Sequence, residues 1–311
     1  FMSGLKHNNC KFLKCLVSTA PQFQEYNPDV GPFLVNTGCD GSFCVGSLHT
    51  SREMRMVLPN AYVRGVVQVT AFDKAVMDAI YTIWTERKNP EDVQCELSFH
   101  DIYKKMSGGR ITAFNEKTKM KVKSSVYKLM LTTCIVNITS DLTAAVEKMK
   151  LTSWVKKGCK GVVIEGTLIP AEFITVKNTN DTFSGGIRIL KCPILYEYAD
   201  AIDQIIWIEE EWLRVPYYFS DKTIAVRDYL ISYIRGIEHK RSDRSNWVGY
   251  KTIFENAGLE WSEKKGTQCK NRKFVNDILK YYIDAKIIKS FEISEDNCRV
   301  HIVPVSKKKK R

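Results

Sequence analysis

The sequence predicts an α+β protein of two tandem winged helix-turn-helix domains, the first with an enlarged β wing. Three observations lead there. Two segments share one plan, a short helix, a glycine turn and a longer helix. The first is Ser98 to Met106, Gly108-Gly109 and a helix over 119–131; the second is Tyr250 to Asn256, Gly258 and a helix over 267–284. Strand-like sequence follows each long helix, as a wing requires. Both segments are also basic, and the stretch between them is acidic. Residues 101–160 hold 13 Lys and Arg against 4 Asp and Glu, and 235–311 hold 19 against 10, each net +9. Residues 161–212 carry 3 against 9, net −6. Such segregation favours two phosphate-facing surfaces over a mixed solvated one.

Taken in order, residues 1–50 are rich in turn formers (Pro21, Pro28, Gly31, Pro32, Gly38, Gly41, Gly46) and poor in periodicity. They read as a poorly structured N-terminal arm with one short strand near 33–35. Winged-helix domain 1 is expected over 51–208, domain 2 over 209–306, and 307–311 form a solvated basic tail. In domain 1, Ala75-Val76, Ala79-Ile80 and Ile83-Trp84 recur at helical spacing on a helix that ends near Glu86. Ser98 with Asp101 three residues on has the form of a capping box, so a helix starts there and Gly108-Gly109 ends it.

On the next helix, Val122, Val126, Leu129 and Met130 share an apolar face. Lys117, Lys121, Ser124 and Lys128 lie opposite, a stripe suited to a groove lined by phosphates; the plain alternative is a solvated lysine-rich surface. Segments at 134–139, 162–169, 173–176 and 187–190 read as the wing sheet. Its insertion, 142–160, holds the basic run at Lys156, Lys157 and Lys160. A short helix near 196–203 and a strand at 204–208 close the domain.

Domain 2 opens with a helix over 222–237. In its long helix, Phe274, Ile278, Tyr281 and Tyr282 point inward, and Arg272, Lys273, Asn276 and Lys280 point outward. Arg and Asn make forked contacts with guanine and adenine edges, so this helix is the better equipped for sequence readout. Strands at 290–293 and 299–303 form a hairpin, the second wing.

Enzyme and metal signatures are missing. There is no Gly-x-x-x-x-Gly-Lys-Ser/Thr loop. His7, His49, His100, His239 and His301 lie far apart, so no His-x-His pair is present to activate a nicking tyrosine. Consecutive Glu209-Glu210-Glu211 point apart and read as linker surface. Cys10 and Cys15, like Cys39 and Cys44, sit at a spacing that is marginal for structural zinc. The ten cysteines read as reduced thiols of a cytosolic protein, with zinc in the arm as the minor alternative. No cofactor is expected. No apolar run reaches the roughly 18 residues of a membrane span, and Phe12 to Val17, broken by Lys14, does not read as a signal peptide.

Several stretches together resemble the Rep/RepA-like replication initiators of bacterial plasmids and related mobile elements, which carry two tandem winged helices. They are Phe72 to Tyr81, Ile102 to Gly109, the helix that runs through Leu131 to Ile135, Leu213 to Pro216, and Ala225 to Leu230. The resemblance implies a non-enzymatic protein that binds repeated double-stranded origin sites, melts the origin and recruits the host replicative helicase, with the host initiator as a further partner. It also implies a homodimer that represses its own promoter and a monomer that initiates. A transcriptional repressor without a replication role is the runner-up, and a nicking or priming enzyme the more distant alternative.

The two +9 regions generate a prediction. If about six to ten phosphates are neutralised, DNA affinity falls by roughly 10³ to 10⁵ between about 50 and 200 mM salt. Binding isotherms across that range check it, and a flat dependence overturns it.

Overall fold

The computed structural model describes residues 4–8, 34–36, 43–47, 53–58, 61–65, 69–87, 95–109, 114–137, 146–153, 155, 162–177, 183–238 and 245–305. The chain is mixed α+β, with small antiparallel sheets, and divides into two compact units, Phe1–Ile208 and Glu209–Arg311.

The first unit is organised on α1 (Ala71–Arg87). Thr70 and Asp73 start it reciprocally: the Thr70 N–H donates to Asp73 Oδ2 at 2.7 Å, and the Asp73 N–H donates to Thr70 Oγ1 at 3.3 Å. Every residue from Ala71 to Trp84 is buried, so the helix is enclosed on all sides. The polar residues among them therefore need internal partners. Lys74 Nζ lies 2.6 Å from Asp78 Oδ2, and the Tyr196 hydroxyl donates to Asp78 Oδ1. Tyr196 also stacks on Tyr81, ring centroids 4.1 Å apart. Burial is the main reason that the Tyr81 phenol is pushed well above its ordinary range.

After α1 come β6 (Cys95–Ser98), α2 (Phe99–Met106) and α3 (Glu116–Leu131). Ser98 caps α2 by accepting the Asp101 N–H at 3.0 Å. At the other end, the Gly109 N–H reaches the Lys104 carbonyl at 2.9 Å and the Gly108 N–H reaches that of Lys105 at 3.2 Å. This reversal holds both glycines at positive φ, 67° and 77°, where a side chain is strained. Asn115 caps α3 through Thr118 N at 2.9 Å, which starts the helix three residues earlier than its apolar periodicity suggests.

Two strand assignments differ from the sequence reading. Residues 1–50 hold three strands, β1 (Gly4–Asn8), β2 (Leu34–Asn36) and β3 (Phe43–Ser47). β1 pairs with β11 (Ile205–Glu209) and packs on α1, with Leu5 buried. A Cβ at Gly4 would lie 2.3 Å from the Ile208 carbonyl oxygen, so only glycine permits this approach. Strands of three to five residues are too short to leave a periodic signal, and the partner of β1 lies some 200 residues along the chain.

The expected wing also divides between two sheets. β7 (Thr133–Asn137) and β8 (Val163–Thr167) join β2, β3, β4 (Glu53–Leu58) and β5 (Ala61–Gly65) in an antiparallel sheet of order β2-β3-β4-β5-β7-β8. β9 (Ala171–Lys177) and β10 (Phe183–Ile189) form a hairpin that pairs with β6, in the order β6-β10-β9. Gly185 and Gly186 lie inside β10 rather than before it. A Cβ on Gly186 would meet the Leu97 carbonyl oxygen at 2.0 Å, and one on Gly185 that of Ile174 at 2.7 Å. Helix α4 (Ile194–Ala201) then packs on β7 and β8.

The second unit repeats the plan without the inserted strands. After the one-turn helix α5 (Glu210–Leu213) come α6 (Asp221–Glu238), β12 (Trp247–Gly249), α7 (Tyr250–Asn256), α8 (Lys265–Asp284) and the hairpin β13 (Ile288–Ile293) and β14 (Arg299–Pro304). Its sheet order, β12-β14-β13, reproduces β6-β10-β9. The buried Arg227 pairs with Asp228 at 2.8 Å, donates to the Leu213 carbonyl at 3.2 Å and lies over the Phe219 ring.

Among the described residues, no helix is long and apolar enough to cross a membrane. Cys10, Cys15, Cys39, His49, the run at 156–160 and the tail at 307–311 lie outside the described residues.

Asp78→Ala removes the carboxylate that the buried Lys74 ammonium and the Tyr196 hydroxyl both contact. Denaturant unfolding is expected to show a loss of about 3–5 kcal/mol. Replacing the charges together, as Lys74→Met with Asp78→Leu, is expected to recover most of it.

Candidate nucleic-acid interface

In the second unit α8 is presented on a packed base. Phe274, Val275, Ile278, Leu279 and Tyr282 are buried, and the Tyr282 hydroxyl donates to the Trp212 carbonyl at 3.0 Å. Lys222 of α6 braces the inner side. Its ammonium donates to Asn271 Oδ1 at 2.8 Å and sits between the Phe254 and Phe274 rings, 5.2 and 4.9 Å from their centroids. Burial lowers its pKa from the ordinary lysine value. The helix before α8 ends on Gly258, at φ 71°, with the Leu259 N–H on the Phe254 carbonyl at 2.9 Å and the Gly258 N–H on that of Glu255 at 3.0 Å.

The four residues expected to face DNA from α8 come together. Arg272, Lys273, Asn276 and Lys280 line one concavity of about 340 Å³, whose opposite wall is the β13–β14 hairpin at Ile293 and Asn297. Lys273 and Lys280 are exposed, and Arg272 and Asn276 half-buried. The Arg272 guanidinium reaches the Asn297 carbonyl at 3.5 Å, a long contact through one of its two terminal nitrogens. Tyr250, which is buried, donates its hydroxyl to Asn276 Oδ1 at 2.7 Å and so fixes the plane of the amide. Asp277, the one carboxylate in this lining, accepts the Tyr217 hydroxyl at 2.6 Å and lies 3.9 Å from Lys280. Burial first, and Asp277 second, push the Tyr217 phenol up to about 12.

Tyr250, Cys269, Asp277 and the hairpin residues Ile293 and Asn297 line this concavity beyond the four expected from sequence. The Tyr250 hydroxyl contact joins residues 26 apart in sequence, beyond the reach of a local pattern.

The first unit disperses its four candidates. Lys117, Lys121 and Ser124 are exposed on α3, and the Lys121 ammonium lies 3.9 Å above the Phe72 ring. Lys128 is drawn inward instead and pairs with the buried Asp73, tying α3 to α1. The physical cause is Asp73 itself, whose carboxylate is enclosed and needs a cation.

The helix is also rotated from the expected orientation. Ser125 is buried with Val122, Val126 and Leu129, whereas Met130 is only half-buried. The outermost line of α3 is therefore Met120, Ser124, Tyr127 and Leu131, with the lysines on its flanks. A buried serine gives no hydrophobic signal, so the sequence could not place this line.

No protein-family model and no curated protein matches the chain. Solved structures similar to it include a selenomethionine derivative of domains 2 and 3 of RctB, 13% identical with a TM-score of 0.45, covering 93% of this chain and 95% of that one. A second structure of RctB domains 2–3 is 11% identical with a TM-score of 0.40, over 95% and 97% of the two chains. Both matches span nearly the whole chain.

Lys128→Ala leaves the Asp73 carboxylate buried without its cation. The expected result is a loss of stability of about 1–3 kcal/mol by chemical denaturation, with the salt slope of DNA binding unchanged. A shallower slope at full stability would return Lys128 to the phosphate-facing set.

Proposed function

We propose that this chain is a sequence-specific, double-stranded-DNA-binding replication initiator of a plasmid or mobile element, and that both units are winged helices. In this reading α2–α3 and α7–α8 are the helix-turn-helix pairs, and the β9–β10 and β13–β14 hairpins are the wings. The observation that carries the proposal is the lining of α8. Arg272, Lys273, Asn276 and Lys280 occupy one concave face beside a hairpin, with the amide of Asn276 oriented by a buried hydroxyl. Guanidinium and amide groups held this way suit purine edges in the major groove, and the ammonium groups suit the phosphates beside them.

The internal repetition of the plan supports a protein that engages more than one stretch of duplex. Binding at repeated origin sites, melting of the origin, recruitment of the host helicase and initiator, and a repressing homodimer rest on the sequence resemblance. The protein acts by binding rather than by catalysis, and needs no cofactor.

Selection of bound fragments from the element's own DNA tests the reading. Tandem repeats beside an AT-rich tract are the expected result. A lone palindrome would assign a promoter and make the protein a transcriptional repressor instead. On the selected site, Arg272→Ala or Asn276→Ala is expected to cost about 1–3 kcal/mol, with little change on random duplex. Equal losses on both, measured by competition binding, would remove α8 as the reader.

A further inference from the structure

The outer line of α3 is chemically unlike that of α8. Met120, Tyr127 and Leu131 are 52%, 56% and 48% exposed, and with Ser124 they are spaced four, three and four along one face. Val176 on β9 is 49% exposed, and Phe173 of the same strand lies beside Tyr127 with ring centroids 6.2 Å apart. Scattered apolar residues on a surface need no explanation, but a continuous line of them marks a contact. Its borders are cationic. At 100° per residue, Lys117 and Lys121 lie about 50–90° to one side of this line and Lys123 about 70° to the other, and all three are exposed.

A helix seated in a major groove has this distribution of chemistry. Its crest meets the edges of the bases, and its two shoulders meet the phosphates of the two strands. The only apolar group on the major-groove floor is the C5 methyl of thymine. We propose that α3 reads thymine methyls: Met120, Tyr127 and Leu131 pack on them, Ser124 contacts neighbouring base edges, and Lys117, Lys121 and Lys123 hold the flanking phosphates. The proposal rests on the DNA-binding reading and deepens it, assigning apolar readout to the first unit and polar readout to the second. Lysines on both borders favour a polyanion over an apolar protein surface as the occupant.

The test uses the full chain on the duplex selected above, with thymines replaced one at a time by deoxyuridine, which removes the methyl and keeps every hydrogen-bonding group. Some thymines are expected to lose about fourfold in affinity on replacement, as burial of one methyl-sized group implies. Met120→Ala and Leu131→Ala are expected to bind the thymine site more weakly and to be insensitive to the same replacements. Both side chains are exposed, so these variants are expected to unfold at the wild-type denaturant midpoint. Wild-type affinity unchanged by every replacement overturns the proposal and leaves DNA binding by α8 intact. So does unaltered methyl sensitivity in the two variants, which would assign the crest to a protein partner. Failure to bind any duplex overturns both readings.

Discussion

The enclosed carboxylates of α1 set the terms for the rest of the first unit. A helix buried on all sides cannot leave Asp73, Lys74 and Asp78 to solvent, so each needs a partner inside the fold. Lys74 and Tyr196 answer Asp78, and Lys128 answers Asp73. These contacts draw α4 and α3 onto α1 at fixed positions. Apolar packing alone would accept several neighbouring arrangements; a carboxylate that needs a particular donor accepts far fewer. The cost falls on the outer face of α3, which loses one lysine to an inward ion pair.

The second unit reaches the same helix and sheet order with different internal chemistry. Arg227 takes the enclosed position, held by Asp228, the Leu213 carbonyl and the Phe219 ring. In both units the helix before α3 or α8 ends with a residue at positive φ and paired backward-reaching N–H groups. That ending turns the chain out of the helix and satisfies its last carbonyls. Lys286 adopts the same conformation after α8 at φ 58°, with the Ile287 N–H on the Tyr282 carbonyl at 2.8 Å, and turns the chain into β13.

A shared scaffold with divergent outer lines separates shape from surface chemistry. On α8 the concave face is polar and cationic, and its one carboxylate is engaged by Tyr217. On α3 the crest is apolar with cationic shoulders. The backbone plan delivers a helix and a hairpin to a surface, and the side chains decide which chemistry they meet there.

Several helix starts and stops were legible along the chain. Ser98 with Asp101, and the glycines at 108, 109 and 258, act within five residues of the groups they satisfy, so local spacing suffices to place them. The sequence also carried the basic face of α8, because a long helix with a strong apolar side leaves little choice about what points outward. Tertiary structure alone decided the rest. The pairing of β1 with β11, and the entry of β7 and β8 into a sheet with the N-terminal strands, join short segments that carry no mark of their partners. The inward turn of Ser125 and the capture of Lys128 by Asp73 depend on what another helix presents. A residue's periodicity says that it can be buried or exposed; only the neighbours brought by the fold say which.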